Sequence, residues 1–200
     1  VCAIDIGAET TSLAVFEDGD LVHLAVIPFG SANISGDIAS ALKIHFDVAE
    51  QIKIVAGHAI SNQVAKRDMV PLSQFLEDEK ETVSKKYLAD IIEARLSEMF
   101  GFVFDELKKI GRPSKLPAGA VISGGGSRIP GIEALSRREL KLPVRLASLE
   151  HHRKIFPEAL GPQFYPASGL ILWQLDSTGS LLKSQGLGGF AKRLFRMFLP

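Results

Sequence analysis

At 200 residues the chain has room for one large domain or two small ones. Its 46 % hydrophobic content excludes wholesale disorder, and 23 basic against 23 acidic residues argues against a nucleic-acid binder, which usually carries a basic excess. The single cysteine, Cys2, excludes an intrachain disulfide and is simplest as a small buried strand residue, and no apolar run approaches the roughly 18 residues of a membrane-spanning helix. The zero net charge conceals an asymmetry. From Lys183 to Pro200 there are four basic residues and no acid, which leaves 19 basic against 23 acidic elsewhere. With no signal peptide and a start at Val1 inside a strand pattern, the sequence reads as a piece of a longer protein.

Val1–Gly7, Ser12–Phe16 and Leu21–Phe29 are expected as three strands, the last two joined at Asp18-Gly19, a pair that tolerates positive φ. Ser31–Gly36 is expected as a turn, Asp37–His45 and Val48–Val55 as helices, the second ending near Gly57. Met69–Leu72 is a short strand candidate and Glu77–Glu81 a solvated loop. Over Ser84–Ile110, Leu88, Ile91, Ile92, Leu96, Met99, Phe100, Val103 and Leu107 follow the helical period, with Gly101 a point of bending or breakage. Gly119–Ile122 is a strand, Pro130-Gly131 opens a helix through Leu140, Val144–Leu146 is a strand and Pro166–Leu175 a helix. Asp176–Gly186 is polar and reads as a linker. Antiparallel strands followed by alternating strands and helices imply an α/β layered domain with a mixed sheet.

Three segments could carry chemistry. Asp5-Ile6-Gly7-Ala8-Glu9-Thr10-Thr11 sits at a strand end; there a glycine lets backbone N–H groups approach phosphate, hydroxyls add hydrogen bonds, and Asp5 could hold Mg²⁺ through waters. An ordinary hairpin turn is the plainer alternative. Strand–Gly124-Gly125-Gly126-Ser127–helix brings backbone close to a ligand near a helix start, or forms a simple turn. Glu50 and Lys53 share a helix face, so both could reach a ribose, or form a solvated ion pair. His151-His152 has no further ligand at metal-binding spacing and reads as surface. No residue stands out as catalytic.

The last segment forms a separate unit. On a helical wheel Leu187, Phe190, Ala191, Leu194, Phe195, Met197 and Phe198 fall within an arc of roughly 160°, opposite Lys192, Arg193 and Arg196. Bulky apolar residues against a basic face suit a helix lying in a membrane interface, with each cation adding about 1 kcal/mol near anionic lipid. A terminal helix docked on its own domain is the other reading.

The order of these motifs resembles the second half of the actin-like ATPases. Ile4-Asp5-Ile6-Gly7, Thr10-Thr11, Ala49-Glu50-Gln51-Ile52-Lys53, Glu93-Ala94-Arg95, Ile122-Ser123-Gly124-Gly125-Gly126 and Pro130-Gly131-Ile132 look like the FtsA family, actin homologues that tether the FtsZ division ring to the membrane. The resemblance covers nearly the whole chain, tail included. It implies an actin-like (ribonuclease H-like) half, with residues 1–45 plus 115–178 as core subdomain, 46–114 as inserted subdomain, 179–186 as linker and 187–200 as membrane-targeting helix. It implies ATP and Mg²⁺ as cofactors, Asp5 as the metal-water contact, and Gly7, Thr10 and Thr11 around the phosphates. Glu50 and Lys53 would hold ribose and adenine, and Gly124, Gly125, Gly126 and Ser127 would bed the adenosine. Lys85, Lys86 and Arg95 would receive the FtsZ C-terminal peptide. Self-association into filaments, an anionic membrane surface at the cytoplasmic face of the inner membrane and other division proteins complete the implied partners. Where the family has three glycines after Asp-Ile, this chain has Gly7, Ala8 and Glu9, and a carboxylate at Glu9 repels phosphate unless it points away or meets the metal. The chain supplies one wall of a cleft and is expected to bind ATP poorly alone. A soluble actin-like ATPase or kinase and a pilus-assembly platform of the same superfamily are the competing readings.

Overall fold

The computed structural model describes residues 1–76, 81–150, 155–156 and 161–178. Three strands open the chain: β1 (Cys2–Ile6), β2 (Thr11–Glu17) and β3 (Asp20–Ile27). Two helices follow, α1 (Ser31–Leu42) and α2 (Phe46–Ala56), then a small ribbon of β4 (Met69–Pro71) and β5 (Thr82–Ser84). The long helix α3 (Lys85–Lys109) leads to β6 (Ala120–Ser123), a 3₁₀ turn at Gly125–Arg128, α4 (Ile132–Leu140), β7 (Val144–Leu146) and α5 (Tyr165–Thr178).

The main sheet has the order β3-β2-β1-β6-β7. The first three strands pair antiparallel, whereas β6 runs parallel to both β1 and β7. This is the expected mixed sheet. Alternation decides which face is buried: Cys2, Ile4 and Ile6 of β1 and Leu13 and Val15 of β2 point to one side and are at most 1 % exposed. The β2–β3 connection is a tight turn in which Asp18 and Gly19 both have positive φ, 50° and 94°, as a two-residue hairpin with right-handed strand twist demands.

Helix α3 is the spine of the helical layer. Leu88, Ile92, Leu96, Met99, Val103 and Leu107 form one buried stripe that joins the side chains of the sheet, α1 and α4 in a single core. Its 25 residues run unbroken through Gly101, which has open space around it. Glycine there lowers propensity by about 1 kcal/mol but tertiary burial of the stripe outweighs it, so the helix is not broken there.

Three boundaries differ from expectation. Helix α1 begins at Ser31, so Ser31–Gly36 is helix and not turn; its first N–H groups find acceptors in the loop after β1, which sequence spacing cannot reveal. Residues 82–84 form β5, which pairs with β4. Helix α5 runs on to Thr178, so the first three residues read as linker are helical. Most of the solvated loop, His151-His152, the rest of the linker and the basic tail from Leu187 to Pro200, including its expected membrane contacts, lie outside the described residues. No helix among the described residues is long and apolar enough to cross a membrane.

Phe100 is 1 % exposed beneath α3, whereas Tyr87 on the same helix is 47 % exposed. Phe100→Ala is expected to cost about 3–5 kcal/mol and Tyr87→Ala under about 1 kcal/mol in urea unfolding.

Candidate functional site

The carboxyl ends of the parallel pair β1 and β6 lie side by side, the position where open α/β sheets receive ligands. Two loops leave from there: 7–10 after β1 and 124–128 after β6.

The first loop is fixed by α1. The Ser31 N–H donates to the Gly7 carbonyl at 2.9 Å and the Ala32 N–H to the Ala8 carbonyl at 2.8 Å. In a trans peptide the N–H points opposite to the C=O. With both carbonyls turned to α1, the N–H groups of Ala8 and Glu9 therefore point away from it, to the open side. Neither these nor the Thr10 N–H has a protein acceptor among the described residues, and residues 8–10 are exposed. Successive free N–H groups of this kind form a concavity suited to an anion.

This approach depends on Gly30. A Cβ there would fall well within 3.0 Å of the Ala8 carbonyl and of Glu9 backbone. Gly30 also closes the helix start with Asn33, whose Oδ1 accepts from the Gly30 N–H at 2.9 Å and whose N–H donates to the Gly30 carbonyl at 3.1 Å. Gly30 was not singled out from sequence; its signal is a glycine between a strand and a Ser-Ala-Asn run, at an N-cap position.

Asp5 lies opposite Ser12 on β2 and Ser123 on β6, all on one sheet face. The Ser123 hydroxyl donates to Asp5 Oδ1 at 2.8 Å, while Oδ2 has no hydrogen-bond partner among the described residues. The two threonines part company. Thr10 is exposed at the loop mouth. Thr11 is 2 % exposed, and its hydroxyl donates to the Phe29 carbonyl at 2.8 Å, so it holds the strands together and does not face the loop mouth.

The departures Ala8 and Glu9 are accommodated without strain, because neither has positive φ. Glu9 lines a hollow with Pro28, Ala32, Asn33, Gly36, Asp37 and Ser40. At about 100° per residue the hollow's Ala32, Asn33, Gly36, Asp37 and Ser40 centre roughly 130° around α1 from Ser35, so the hollow and the Ser35 side lie on different faces of the helix.

The Ser35 side holds Glu50 and Lys53. Lys53 is 6 % exposed; its ammonium donates to the Glu50 carboxylate at 2.7 Å and to the Ser31 carbonyl at 2.8 Å, and the Ser35 hydroxyl donates to the same Glu50 oxygen. The pair ties α2 to the first turn of α1. Burial pushes the Glu50 carboxyl up, but the hydrogen bonds from Lys53 and Ser35 and the lysine charge outweigh it, and the pKa falls below 4.5. Lys53 is thus spent on structure, and Glu50, only half-buried, is the member that faces outward.

The three glycines after β6 divide in the same way. Gly124 has φ +86°, and a Cβ on it would strike the Ile6 backbone; one on Gly126 would strike the Ile6 side chain. Both are glycines because the turn packs on β1. Gly125 is exposed, and a Cβ on it would meet nothing nearer than the Gln163 side chain at 4.0 Å. Ser127 is buried and its hydroxyl donates to the Gly124 carbonyl at 2.7 Å, closing the turn.

Lys85, Lys86 and Arg95 do not converge. Lys86 and Arg95 are nine residues apart, about half a turn around α3. Lys86 reaches Asp90 and the Ser61 carbonyl. Arg95 grips Asp37 of α1 through two nitrogens, at 2.6 and 2.8 Å, and Glu98 at 2.5 Å. The Asp37 hydrogen bonds raise the arginine pKa further despite partial burial. Arg95 is therefore a clamp between α1 and α3, on another side of the helix from Lys86.

A family model described as "Cell division protein FtsA" matches residues 2–169. The FtsA of Neisseria meningitidis serogroup B is 35 % identical over 205 residues, 98 % of this chain and 50 % of that protein. That of Bacillus subtilis is 34 % identical over 174 residues, 86 % of this chain and 38 % of that protein. The chain spans half or less of the length of these curated relatives. Among solved structures, Spiroplasma citri MreB5 bound to ADP superposes with a TM-score of 0.66 at 20 % identity, over 92 % of this chain and 55 % of that one. The PilM–PilN type IV pilus biogenesis complex superposes at 0.62 and 21 %, over 86 % and 44 %.

Two measurements check this geometry. Gly124→Ala is expected to cost about 2 kcal/mol or more, from strain and overlap with Ile6, while Gly125→Ala changes stability by no more than about 0.5 kcal/mol. Glu50→Gln is expected to lose about 1–3 kcal/mol at pH 7 by depriving buried Lys53 of its counter-charge. Because the Glu50 pKa is depressed on folding, its contribution is full above pH 4.5 and fades below it, so the gap between the two proteins closes on acidification.

Proposed function

Because the chain belongs to the FtsA family of cell division proteins, with the actin-like ATPase fold, we propose that it forms one wall of an ATP site in a scaffold that holds the FtsZ ring at a membrane surface. The observation that carries the nucleotide half of this reading is the outward pair of N–H groups at Ala8 and Glu9, fixed by α1 at the end of β1. Phosphates are bound there by loop 7–10, with Thr10 adding a hydroxyl. Asp5 offers one free carboxylate oxygen, which suits a Mg²⁺ that keeps its waters. Glu50 is the outward group for ribose. Gly125 offers bare backbone to the base, and Gly7, Gly124, Gly126, Ser127, Thr11 and Lys53 position these groups. The hollow that Glu9 lines lies on a different face of α1 from Glu50, which removes its carboxylate from the phosphates. Nucleotide-bound neighbours of the same fold support the assignment: MreB5 is bound to ADP in one structure and to AMPPNP in another.

In this reading residues 1–45 and 115–178 form the core subdomain and 46–114 the inserted one. The segment 187–200 binds anionic lipid on the cytoplasmic face of the inner membrane. One such anchor is weak, and self-association multiplies it by avidity. The FtsZ peptide is received at the inserted subdomain, by the Lys85–Lys86 end of α3, with Arg95 holding the helix. Other division proteins assemble on this platform.

The test has two arms. In a full-length protein containing this chain, ATP binding by calorimetry is expected to weaken at least tenfold in Asp5→Ala. The chain itself is expected to sediment with anionic liposomes, less so at high salt, and to stop doing so when ended at Gln185. Unchanged ATP affinity overturns the nucleotide assignment, and tail-independent sedimentation overturns the tether.

A further inference from the structure

Of the three glycines after β6, Gly125 alone is exposed, and Gln163 stands beside it. Among the described residues other than its chain neighbours, the only heavy atom within 4 Å of a Cβ placed on Gly125 is the Gln163 Cβ, at 4.0 Å. The backbone builds this approach. The Gly124 N–H donates to the Pro162 carbonyl at 3.2 Å, which fastens the 3₁₀ turn Pro162–Phe164 to the glycine turn. On its other side that turn is fastened to α5, because buried Ser168 donates its hydroxyl to the Phe164 carbonyl at 2.9 Å. Gln163 itself is exposed, and its carboxamide rests over Gly161, where a Cβ would overlap it. That carboxamide makes no hydrogen bond among the described residues. A side chain with a free donor and a free acceptor is thus held at the edge of bare backbone.

We infer that Gln163 is the specificity-determining residue for the base, selecting a 6-amino purine over a 6-oxo purine. This rests on the nucleotide reading above, in which Gly125 receives the base. A carboxamide pairs with adenine at two points: its oxygen accepts from the 6-amino group while its NH₂ donates to N7. A 6-oxo purine presents two acceptors at those places, O6 and N7. Whichever way the carboxamide is turned, its oxygen then faces a lone pair and one hydrogen bond is lost. The neighbouring side chains do not take this task. The Ser123 hydroxyl is given to Asp5 and the Ser127 hydroxyl to the Gly124 carbonyl. Arg128 of the same turn carries only donors, which suit a 6-oxo purine, but it does not come within 4 Å of the point that Gln163 reaches beside Gly125.

Calorimetric titration of a full-length protein containing this chain with ATP, inosine triphosphate and GTP tests the assignment. Inosine triphosphate carries the 6-oxo group without the 2-amino group of GTP, so it isolates the position that Gln163 reads. ATP is expected to bind at least about fivefold more tightly than inosine triphosphate. Gln163→Met keeps the length of an exposed side chain and loses both hydrogen-bonding ends. In that variant ATP is expected to weaken until the two ligands bind within about twofold of each other, with an unchanged thermal unfolding midpoint. A preference for ATP over inosine triphosphate that survives in Gln163→Met overturns the assignment. So does a preference for inosine triphosphate in the unsubstituted protein, which Arg128 would produce. Equal binding of ATP and inosine triphosphate, or a preference for ATP over GTP alone, also overturns it and leaves the nucleotide reading standing. Failure to bind any of the three overturns the nucleotide reading, and this assignment with it.

Discussion

The carbonyls of Gly7 and Ala8 accept the first two N–H groups of α1, and much of the molecule follows from those two hydrogen bonds. They satisfy the start of a helix that has no acidic residue in its first turn. They also turn the adjacent peptide planes so that the loop's own N–H groups face outward. Had the loop turned the other way, the helix start would face the ligand and the loop would present carbonyls, which repel phosphate. Gly30 permits this arrangement and Lys53 reinforces it, because the lysine ammonium is bound to the Ser31 carbonyl in that same first turn.

A second set of contacts keeps the sheet and the helical layer in one piece. Three polar links leave α3 in different directions. Arg95 binds Asp37 of α1, Glu93 accepts from the Ser61 N–H and pairs with Arg138 of α4, and Glu106 meets His23 of β3. Each is partly exposed, so each is worth little alone compared with the buried stripe beneath. Their value is positional: the stripe fixes how deeply α3 sits, and the directional pairs fix its rotation. Glu93 shows how such a group is kept charged; burial raises its pKa, but the Ser61 N–H and the Arg138 guanidinium bring it below the ordinary value.

The same economy runs through the loops of the candidate site. Of the residues that the motifs single out, a large share hold the site and do not face it. Thr11 and Ser127 give their hydroxyls to backbone carbonyls, Lys53 is buried, and Gly124 and Gly126 are glycines because β1 lies against them. What remains at the surface is sparse: Asp5, the backbone of 8–10, Glu50 and Gly125. A site built mainly from backbone tolerates side-chain change where the side chain has somewhere else to go, and Ala8 and Glu9 occupy positions of that kind.

The sequence by itself determined the strands of the hairpin, the long helix, the mixed sheet and the family. Alternation of period two, a sustained 3.6-residue stripe and an Asp-Gly turn are local properties, and the three glycine-bearing motifs in order leave a recognisable signature. It could not say which motif residues point at a ligand. Thr10 and Thr11 are chemically identical, and only the closeness of Phe29 sends one inward. Ser31–Gly36 has the composition of a turn and becomes helix because a loop some 24 positions earlier supplies its acceptors. Arg95 has the look of a free surface cation and is a clamp, because folding brings Asp37, 58 positions away, to its guanidinium. These outcomes rest on contacts between residues distant in sequence, and only the tertiary structure decides them.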